Sequence, residues 1–193
     1  MAHEHEEDPA CAVAHGDVAA GSDAIAHGFA AAGAAQRTLV AVFASPVADF
    51  LLRFGADLGF RTLLLEPDGE RAAALRGTGT GTGTEVVAEP PADLDDTADV
   101  VVTDHHRPEL GVVLRDVLKR RVRWVGVMGS PRHEGPHVRA LTELGVPAAE
   151  VARVHRPIGL NIGSRTPPEI ALATLAGLIA DRTGSPGGFD FRP

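Results

Sequence analysis

The chain has 193 residues, of which 44% are hydrophobic and 23% charged, and this is enough to build one globular domain with its own core. Its 18 Lys and Arg stand against 26 Asp and Glu, and the formal net charge of -8 argues against general nucleic-acid binding. The single cysteine excludes an internal disulfide, and the sequence has no signal peptide or long apolar run, so we expect a cytoplasmic protein that does not bind a membrane.

Residues 1–36 differ in composition from the rest of the chain. The first eight residues are acidic and rich in histidine, which is typical of a mobile tail, and residues 17–35 are rich in alanine. An apolar helix at 17–35 would suit a homodimer. Four side chains of metal-binding type lie in this tail: His3, His5, Cys11 and His15. Their spacing places them on no common helix face or turn, so we expect a tail and no metal site.

From Thr38 onward, short apolar runs alternate with helical patterns. Strands are predicted at 38–43, 61–65, 85–88, 98–102 and 122–127, and helices at 46–58, 69–76, 108–121, from Pro131 to 144, and at 167–182. This order predicts an α/β fold, a Rossmann-like three-layer sandwich with a mostly parallel sheet, over residues 37–185, followed by a short tail at 186–193. The Gly-Thr repeats at 77–84 are interpreted as a linker. Ligands of such folds bind outside the carboxyl ends of the strands.

The first strand-to-helix turn, Phe43–Ala48, contains no glycine. A dinucleotide fingerprint needs glycines there, one for the tight turn and one for the approach of the pyrophosphate. Ser45 is expected instead to cap the following helix. Glu66 or Asp68 supplies the acidic group that the fingerprint places about 20 residues further on. The pattern therefore predicts Rossmann architecture but disfavours ordinary NAD(P) binding.

Asp104, His105 and His106 follow the strand at 98–102, at the edge where functional residues collect. Histidine can act as an acid, a base or a ligand near neutral pH. The three residues are therefore candidates for ligand contact. The alternative is a turn in which their side chains satisfy backbone groups.

Gly129 and Ser130 follow the next strand, with Arg132 just behind them. A helix that starts at this point would offer its N-terminus to an anion, and Arg132 would add positive charge. The alternative is an ordinary helix cap with exposed charges.

The stretch from His155 to Glu169 combines a loop with a helix start. Thr166 and Glu169 have the spacing of a capping box, with proline at the first helical position between them. Gly159 and Gly163 allow the backbone to bend close to a ligand at that helix start. His155 and the arginine after it can face the same cleft. The alternative is a well-capped terminal helix with a glycine-bent entry.

Two segments, 124–130 and 155–166, together resemble the Rossmann domain of the XdhC/CoxI family. The first reads Trp-Val-Gly-Val-Met-Gly-Ser, similar to the family's IGxxGS strand end, and the second matches its H.PIGL.IG..TP.EIA pattern. The turn at 103–106 is similar to the family's Thr-His-Asp-His segment, with its middle residues in another order. The resemblance covers roughly residues 38 to 183.

The resemblance implies a non-enzymatic role in the maturation of xanthine dehydrogenase or carbon monoxide dehydrogenase. It implies that the chain binds the molybdenum cofactor, as molybdopterin or its dinucleotide form. Its partners would be a molybdenum hydroxylase apoenzyme and a cysteine desulfurase. Gly129, Ser130, Gly159, Gly163 and Thr166 would contact the cofactor through backbone and hydroxyl groups. In this interpretation His106 and His155 would contact the cofactor head.

Two departures from the family pattern affect these expectations. The family's glycine-rich first turn is replaced by Ala44-Ser45-Pro46, which predicts altered ligand binding there. Residues 1–36 also contain nothing like the family's N-terminal domain, so we expect the chain either to work with a separate subunit or to act only as a docking and carrier module. Two alternative functions remain: an NAD(P)-dependent oxidoreductase, and an interaction module that binds no ligand.

Overall fold

The computed structural model of the chain describes residues 36–78, 83–130 and 135–188. The predictions for residues 1–35, including the Ala-rich helix and the His/Cys set, lie outside the described residues. So do Arg132 and residues 189–193 of the predicted C-terminal tail.

One parallel sheet of six strands organises the described residues. Its strands are β1 (Thr38–Val42), β2 (Arg61–Leu65), β3 (Glu85–Val87), β4 (Ala98–Val102), β5 (Trp124–Val127) and β6 (Val154–His155). Their order across the sheet is β3-β2-β1-β4-β5-β6. The predicted Rossmann-like α/β fold is thus confirmed.

Helices connect the strands and cover both faces of the sheet. They are α1 (Pro46–Asp57), α2 (Gly69–Thr78), α3 (Leu110–Leu118), α4 (Pro136–Glu143), α5 (Ala148–Val151) and α6 (Pro167–Thr183). Across the described ranges, no helix combines the length and the hydrophobicity that a membrane span requires.

The core lies in two layers because every strand of a covered parallel sheet has two buried faces. Along β1, Val40 and Val42 face one layer, where they pack with apolar residues of α3 and α4. Leu39 and Ala41 face the other layer, where they pack with apolar residues of α1 and α6. The alternation gives the three-layer sandwich and leaves the strand ends as the exposed edges of the sheet.

The strand order reverses between β1 and β4. The chain proceeds from β1 outward through β2 and β3, then returns to start β4 on the other side of β1. Ligands of doubly wound sheets bind at this switch point, outside the carboxyl ends of the strands. The loops after β1 and β4 flank this switch point, and the loop after β5 lies next to them.

Several predicted boundaries differ from the structure. The helix expected directly after Ser130 begins only at Pro136, with proline at its first position and Gly135 as its N-cap. The helix predicted over 108–121 is shorter at both ends, and β5 begins at Trp124. The prediction of a Gly-Thr linker over 77–84 is wrong at both ends. Helix α2 extends to Thr78, and the buried Thr84 hydroxyl hydrogen-bonds to the Thr62 hydroxyl. The elements α5 and β6 were not predicted because both are too short to carry a periodic signal.

A buried carboxylate fixes α6 to the sheet. Asp99, in β4, has no exposed surface. Its Oδ1 accepts from Arg123 Nε at 2.6 Å, and its Oδ2 accepts from Arg182 Nη2 at 2.8 Å. Arg182 also donates to the Thr97 carbonyl, and Arg123 pairs with Asp181 on α6. The last turn of α6 is thereby tied to β4 and β5.

Replacing Asp99 with alanine is expected to lower the free energy of unfolding by about 3–5 kcal/mol, because two partly buried guanidinium groups lose their shared carboxylate. Urea unfolding followed by circular dichroism measures the change. The control is Glu143→Ala, which removes an exposed carboxylate paired with Arg139 and is expected to cost less than about 1 kcal/mol. Similar losses in the two variants would contradict the anchoring role of Asp99.

Candidate functional site

The turn after β1 is closed by hydrogen bonds among its own side chains. Ser45 is the N-cap of α1, as predicted, and its Oγ accepts from the Ala48 N–H at 3.0 Å. The same hydroxyl donates to Thr103 Oγ1 at 2.9 Å, and Thr103 donates to the Phe43 carbonyl at 2.8 Å. The Ser45 hydroxyl therefore joins the ends of β1 and β4.

Phe43 has an unusual backbone conformation at the start of this turn. Its φ of 70° lies in the left-handed region, which costs a residue other than glycine about 1–2 kcal/mol. The Phe43 side chain is fully buried in the core layer of α3 and α4. Burial of the ring offsets the strained backbone.

Glu66, at the end of β2, is fully buried and points back into the first turn. Its Oε2 accepts from the Ala44 N–H at 2.9 Å, and its Oε1 accepts from Arg107 Nη2 at 2.9 Å. Burial raises the pKa of the Glu66 carboxyl, but the hydrogen bonds from Arg107, Ala44 and Asp68 outweigh it and hold the pKa below its usual value. Glu66 is therefore an anion with protein donors on both oxygens.

Asp68 has a local role in the same loop. Its Oδ1 accepts from the Arg71 N–H at 2.9 Å, and its carboxylate pairs with the Arg71 side chain at 3.1 Å. These contacts support the first turn of α2.

The loop after β4 holds the predicted Asp-His-His group. The Asp104 Oδ1 accepts from the His106 N–H at 2.9 Å, and the rings of His105 and His106 lie 4.1 Å apart. His105 bonds to the Met128 backbone on the neighbouring strand end. Burial lowers the pKa of His105 below its usual value, and the charges of His106 and Arg156 lower it further. A neutral imidazole is thus favoured beside the end of β5.

Arg156 lies against the end of β5. A Cβ added to Gly129 would lie 2.6 Å from its Nη2, and a Cβ added to Gly135 would lie 3.1 Å from its Cδ. The glycines at 129 and 135 thus make room for this side chain. His137, on α4, is 5% exposed and contacts Gly135, and burial followed by the charge of Arg156 lowers its pKa. Arg156 therefore places positive charge near two imidazoles that favour the neutral form.

The loop from Arg156 to Thr166 packs on α6 through glycine. Gly159 has a φ of 85°, and a Cβ there would lie 3.2 Å from the backbone of Ala173. The Leu160 N–H donates to the Ala173 carbonyl at 3.0 Å. The predicted capping box is present, since Glu169 Oε2 accepts from the Thr166 N–H at 3.0 Å. Gly163 has a φ of 72° and nothing within 4 Å of an added Cβ.

A cavity of about 380 Å³ lies between this loop, α6 and the ends of β4 and β5. Among the residues that the structure describes, no carboxylate, lysine or arginine lines it. Its walls combine apolar side chains with hydroxyls and one imidazole: Val47, Thr103, His105, Met128, Gly129, Ser130, Ile158, Leu160, Ser164, Ile170, Ala173 and Thr174. The volume falls within the range of small-molecule sites.

Residues 39–178 match the sequence family described as the XdhC Rossmann domain. This chain belongs to the XdhC Rossmann domain family.

Two individual proteins extend the comparison. Over 80 residues the chain is 36% identical to the Escherichia coli K12 protein YqeB, described as uncharacterized, and this match covers 42% of the chain and 15% of YqeB. A crystal structure described as a xanthine dehydrogenase from Bacillus halodurans superposes with a TM-score of 0.59 at 22% identity. That likeness covers 81% of this chain and 46% of the other, and it shows a common fold. The chain thus spans less than half the length of either protein.

Three of the residues predicted from the sequence line the cavity of this XdhC Rossmann domain: His105, Gly129 and Ser130. The other predicted residues of the described chain do not line it. Ser45 and Glu66 bond to residues of the β1 and β4 loops, Asp68 bonds to Arg71, and Gly159 packs on α6. Asp104, His106, Gly163 and Thr166 lie in the loops on either side of the cavity. The helix start expected beside Ser130 is wrong, since α4 begins six residues later.

His155 is exposed and lies against an aromatic ring. Its imidazole stacks on the Trp124 indole, with ring centroids 5.2 Å apart and planes within 7°. A Cβ added to Gly126 would lie 2.1 Å from Trp124 Cη2, so the glycine makes room for the indole. The His155 side chain, on the edge strand β6, therefore packs against β5 beside the loop.

The sequence did not predict roles for Arg107 and His137. Arg107 pairs with Glu66 across 41 positions, a separation at which no local pattern operates. The sequence did contain one signal for Arg107, namely its position directly after the Asp-His-His group. His137 is a lone histidine at the start of a helix, and nothing around it in the sequence indicates its burial.

Gly159 and Gly163 are expected to respond differently to substitution. Gly159→Ala adds a methyl group against helix backbone that cannot move freely, in addition to the left-handed strain, so we expect a loss of about 3 kcal/mol. Gly163→Ala meets open space, and we expect the strain alone, about 1 kcal/mol. Urea unfolding of both variants measures the difference, and equal losses would refute the close loop-helix contact at Gly159.

Proposed function

We propose that this chain is an accessory protein in the maturation of a molybdenum hydroxylase of the xanthine dehydrogenase or carbon monoxide dehydrogenase type. In this proposal it binds the molybdenum cofactor and catalyses no reaction of its own. The observation that carries the proposal is the cavity at the switch-point edge, walled by the two segments that resemble the family most closely. These segments are the end of β5 and the loop from Arg156 to Thr166.

The lining of the cavity suits an uncharged ring system with polar edges. The hydroxyls of Ser130 and Ser164 and the imidazole of His105 offer hydrogen bonds, while Ile158 and Ile170 offer apolar contact. A pterin ring needs this combination, because its face is apolar and its edge carries donors and acceptors. The residues present therefore fit the ring portion of the cofactor.

The position of Arg156 favours the binding of a phosphate group at the edge of the cavity. Its guanidinium packs against Gly129, which lines the cavity, and its charge acts on both His105 and His137. Guanidinium groups bind phosphate oxygens through strong, often bidentate hydrogen bonds. We therefore place the phosphate end of the ligand beside Arg156.

In this proposal the protein binds, orients and shields its ligand. The loop and α6 exclude water from the ring, and the hydrogen-bonding groups at the ends of β4 and β5 set its direction. The chemistry that the cofactor supplies, redox catalysis at molybdenum, belongs to the client enzyme. The partners would be the hydroxylase apoenzyme and a cysteine desulfurase, and the single cysteine supports a reducing, cytoplasmic setting.

A bulky side chain in the cavity is expected to abolish cofactor binding. Ser164→Trp fills the cavity from the loop, whereas Leu172→Trp places the same ring on α6, where Leu172 is 56% exposed and lines no part of the cavity. Native mass spectrometry with purified molybdenum cofactor should detect an adduct with the wild type and Leu172→Trp, but not with Ser164→Trp.

The same measurement is repeated with NADPH in excess. An adduct that NADPH does not displace supports the proposal. An adduct with Ser164→Trp equal to that of the wild type would remove the cavity from the site, and a wild type that binds NADPH but no cofactor would refute the function.

Loss of the Arg156 charge is expected to weaken cofactor binding by at least about tenfold, the cost of one hydrogen bond to a charged group. The test is Arg156→Gln, measured by isothermal titration calorimetry. Its control is Arg153→Gln, which neutralises an exposed arginine paired with Glu150 and should leave the affinity unchanged. An unchanged affinity in the folded Arg156→Gln variant would contradict the assignment of the phosphate end.

A further inference from the structure

The first turn retains the register of a dinucleotide fingerprint without its glycines. In the pattern G-x-G-x-x-G, the first, third and sixth positions correspond to Phe43, Ser45 and Ala48. Phe43 has the left-handed backbone that glycine normally supplies for the tight turn. Ala48 is fully buried, as the last position of the pattern requires for close helix packing. The backbone path is thus kept while the side chains have changed.

The backbone N–H groups of Ala44 and Ala48 in this turn are engaged by the protein itself. The Ala48 N–H donates to Ser45 Oγ, and Pro46 has no N–H. The Ala44 N–H donates to Glu66 Oε2 at 2.9 Å. In a dinucleotide-binding fold, amides at this helix start approach the pyrophosphate. A carboxylate of the protein therefore engages the turn directly before the helix start that would face a ligand anion.

Glu66 is held in this position from several sides. Arg107 donates to both carboxylate oxygens, at 2.9 and 3.4 Å, and its guanidinium lies over the Phe43 ring at 4.7 Å. The Asp68 N–H donates to Oε1 at 3.2 Å. Glu66 has no exposed surface and Arg107 little, so a ligand would have to break a buried ion pair to displace the carboxylate.

We propose that Glu66 is a built-in anion that occupies the diphosphate subsite of the first turn. The carboxylate makes the chain reject NAD(P) and other nucleoside diphosphates at this position, and Arg107 holds it there. Glu66 is thus a specificity determinant rather than the ribose-binding acid that its place in the fingerprint indicates. Ligand binding is left to the cavity on the β4–β5 side. This inference does not depend on the identity of the ligand in that cavity.

The test follows the Ala44 amide by ¹H–¹⁵N NMR during titration with ADP, which carries a diphosphate and no nicotinamide. In the wild type, the Ala44 signal is expected to stay unchanged. In Glu66→Ala, the freed amide and the freed Arg107 are expected to bind ADP, with an affinity at least about tenfold above that of the wild type. Glu66→Gln keeps an oxygen for the Ala44 N–H and should give an intermediate gain.

The matched control is Asp68→Ala, which removes one negative charge from the same loop and leaves the Ala44 N–H bonded to Glu66. No gain is expected there. An equal gain in Asp68→Ala would mean that net charge alone controls binding, and no gain in a folded Glu66→Ala would overturn the proposal. If Glu66→Ala and Glu66→Gln do not fold, the wild-type titration decides, since an ADP-dependent shift at Ala44 refutes the proposal and its absence supports it. A failure of cofactor binding in the cavity would leave the Ala44 readout unchanged.

Discussion

The candidate site depends on the docking of α6 against the sheet. Asp99 holds the last turn of the helix through Arg182, and Gly159 admits the backbone of Ala173 near its middle. Around the contact at Ala173, α6 presents Ile170, Ala173 and Thr174 to the cavity. One contact is ionic and buried, and the other depends on the absence of a side chain. Together they fix a wall that the β-strands alone would leave open.

The two buried carboxylates of the sheet are each paired with arginine away from the cavity lining. Glu66 and Arg107 neutralise each other within the core of the first turns, and Asp99 is matched by Arg123 and Arg182 at the opposite edge of the sheet. The described residues that line the cavity are uncharged, and Arg156 lies beside them. Among the described residues, a ligand in the cavity therefore meets apolar groups and hydrogen-bonding groups, with the charge of Arg156 at one end.

The sequence predicted the elements with strong local patterns. The buried strands and the capping box at Thr166 were predicted correctly, because apolar runs and N-cap spacing act over a few residues. The two-residue β6 and the start of α4 were not, since they depend on pairing with Val125 and on Pro136 rather than on periodicity. For the site, the strand-end rule gave His105, Gly129 and Ser130. It could not indicate that Glu66 turns inward, because its partner Arg107 lies 41 residues away.

The stack of His155 on Trp124 gives this protein an internal optical probe. Trp124 is the only tryptophan among the 193 residues, and its indole lies parallel to an imidazole that directly precedes the Arg156 loop. A displacement of that loop would shift the imidazole across the face of the indole and change the environment of the ring. The emission of a single native fluorophore can therefore report a displacement of that loop, without a label and without knowledge of what occupies the cavity.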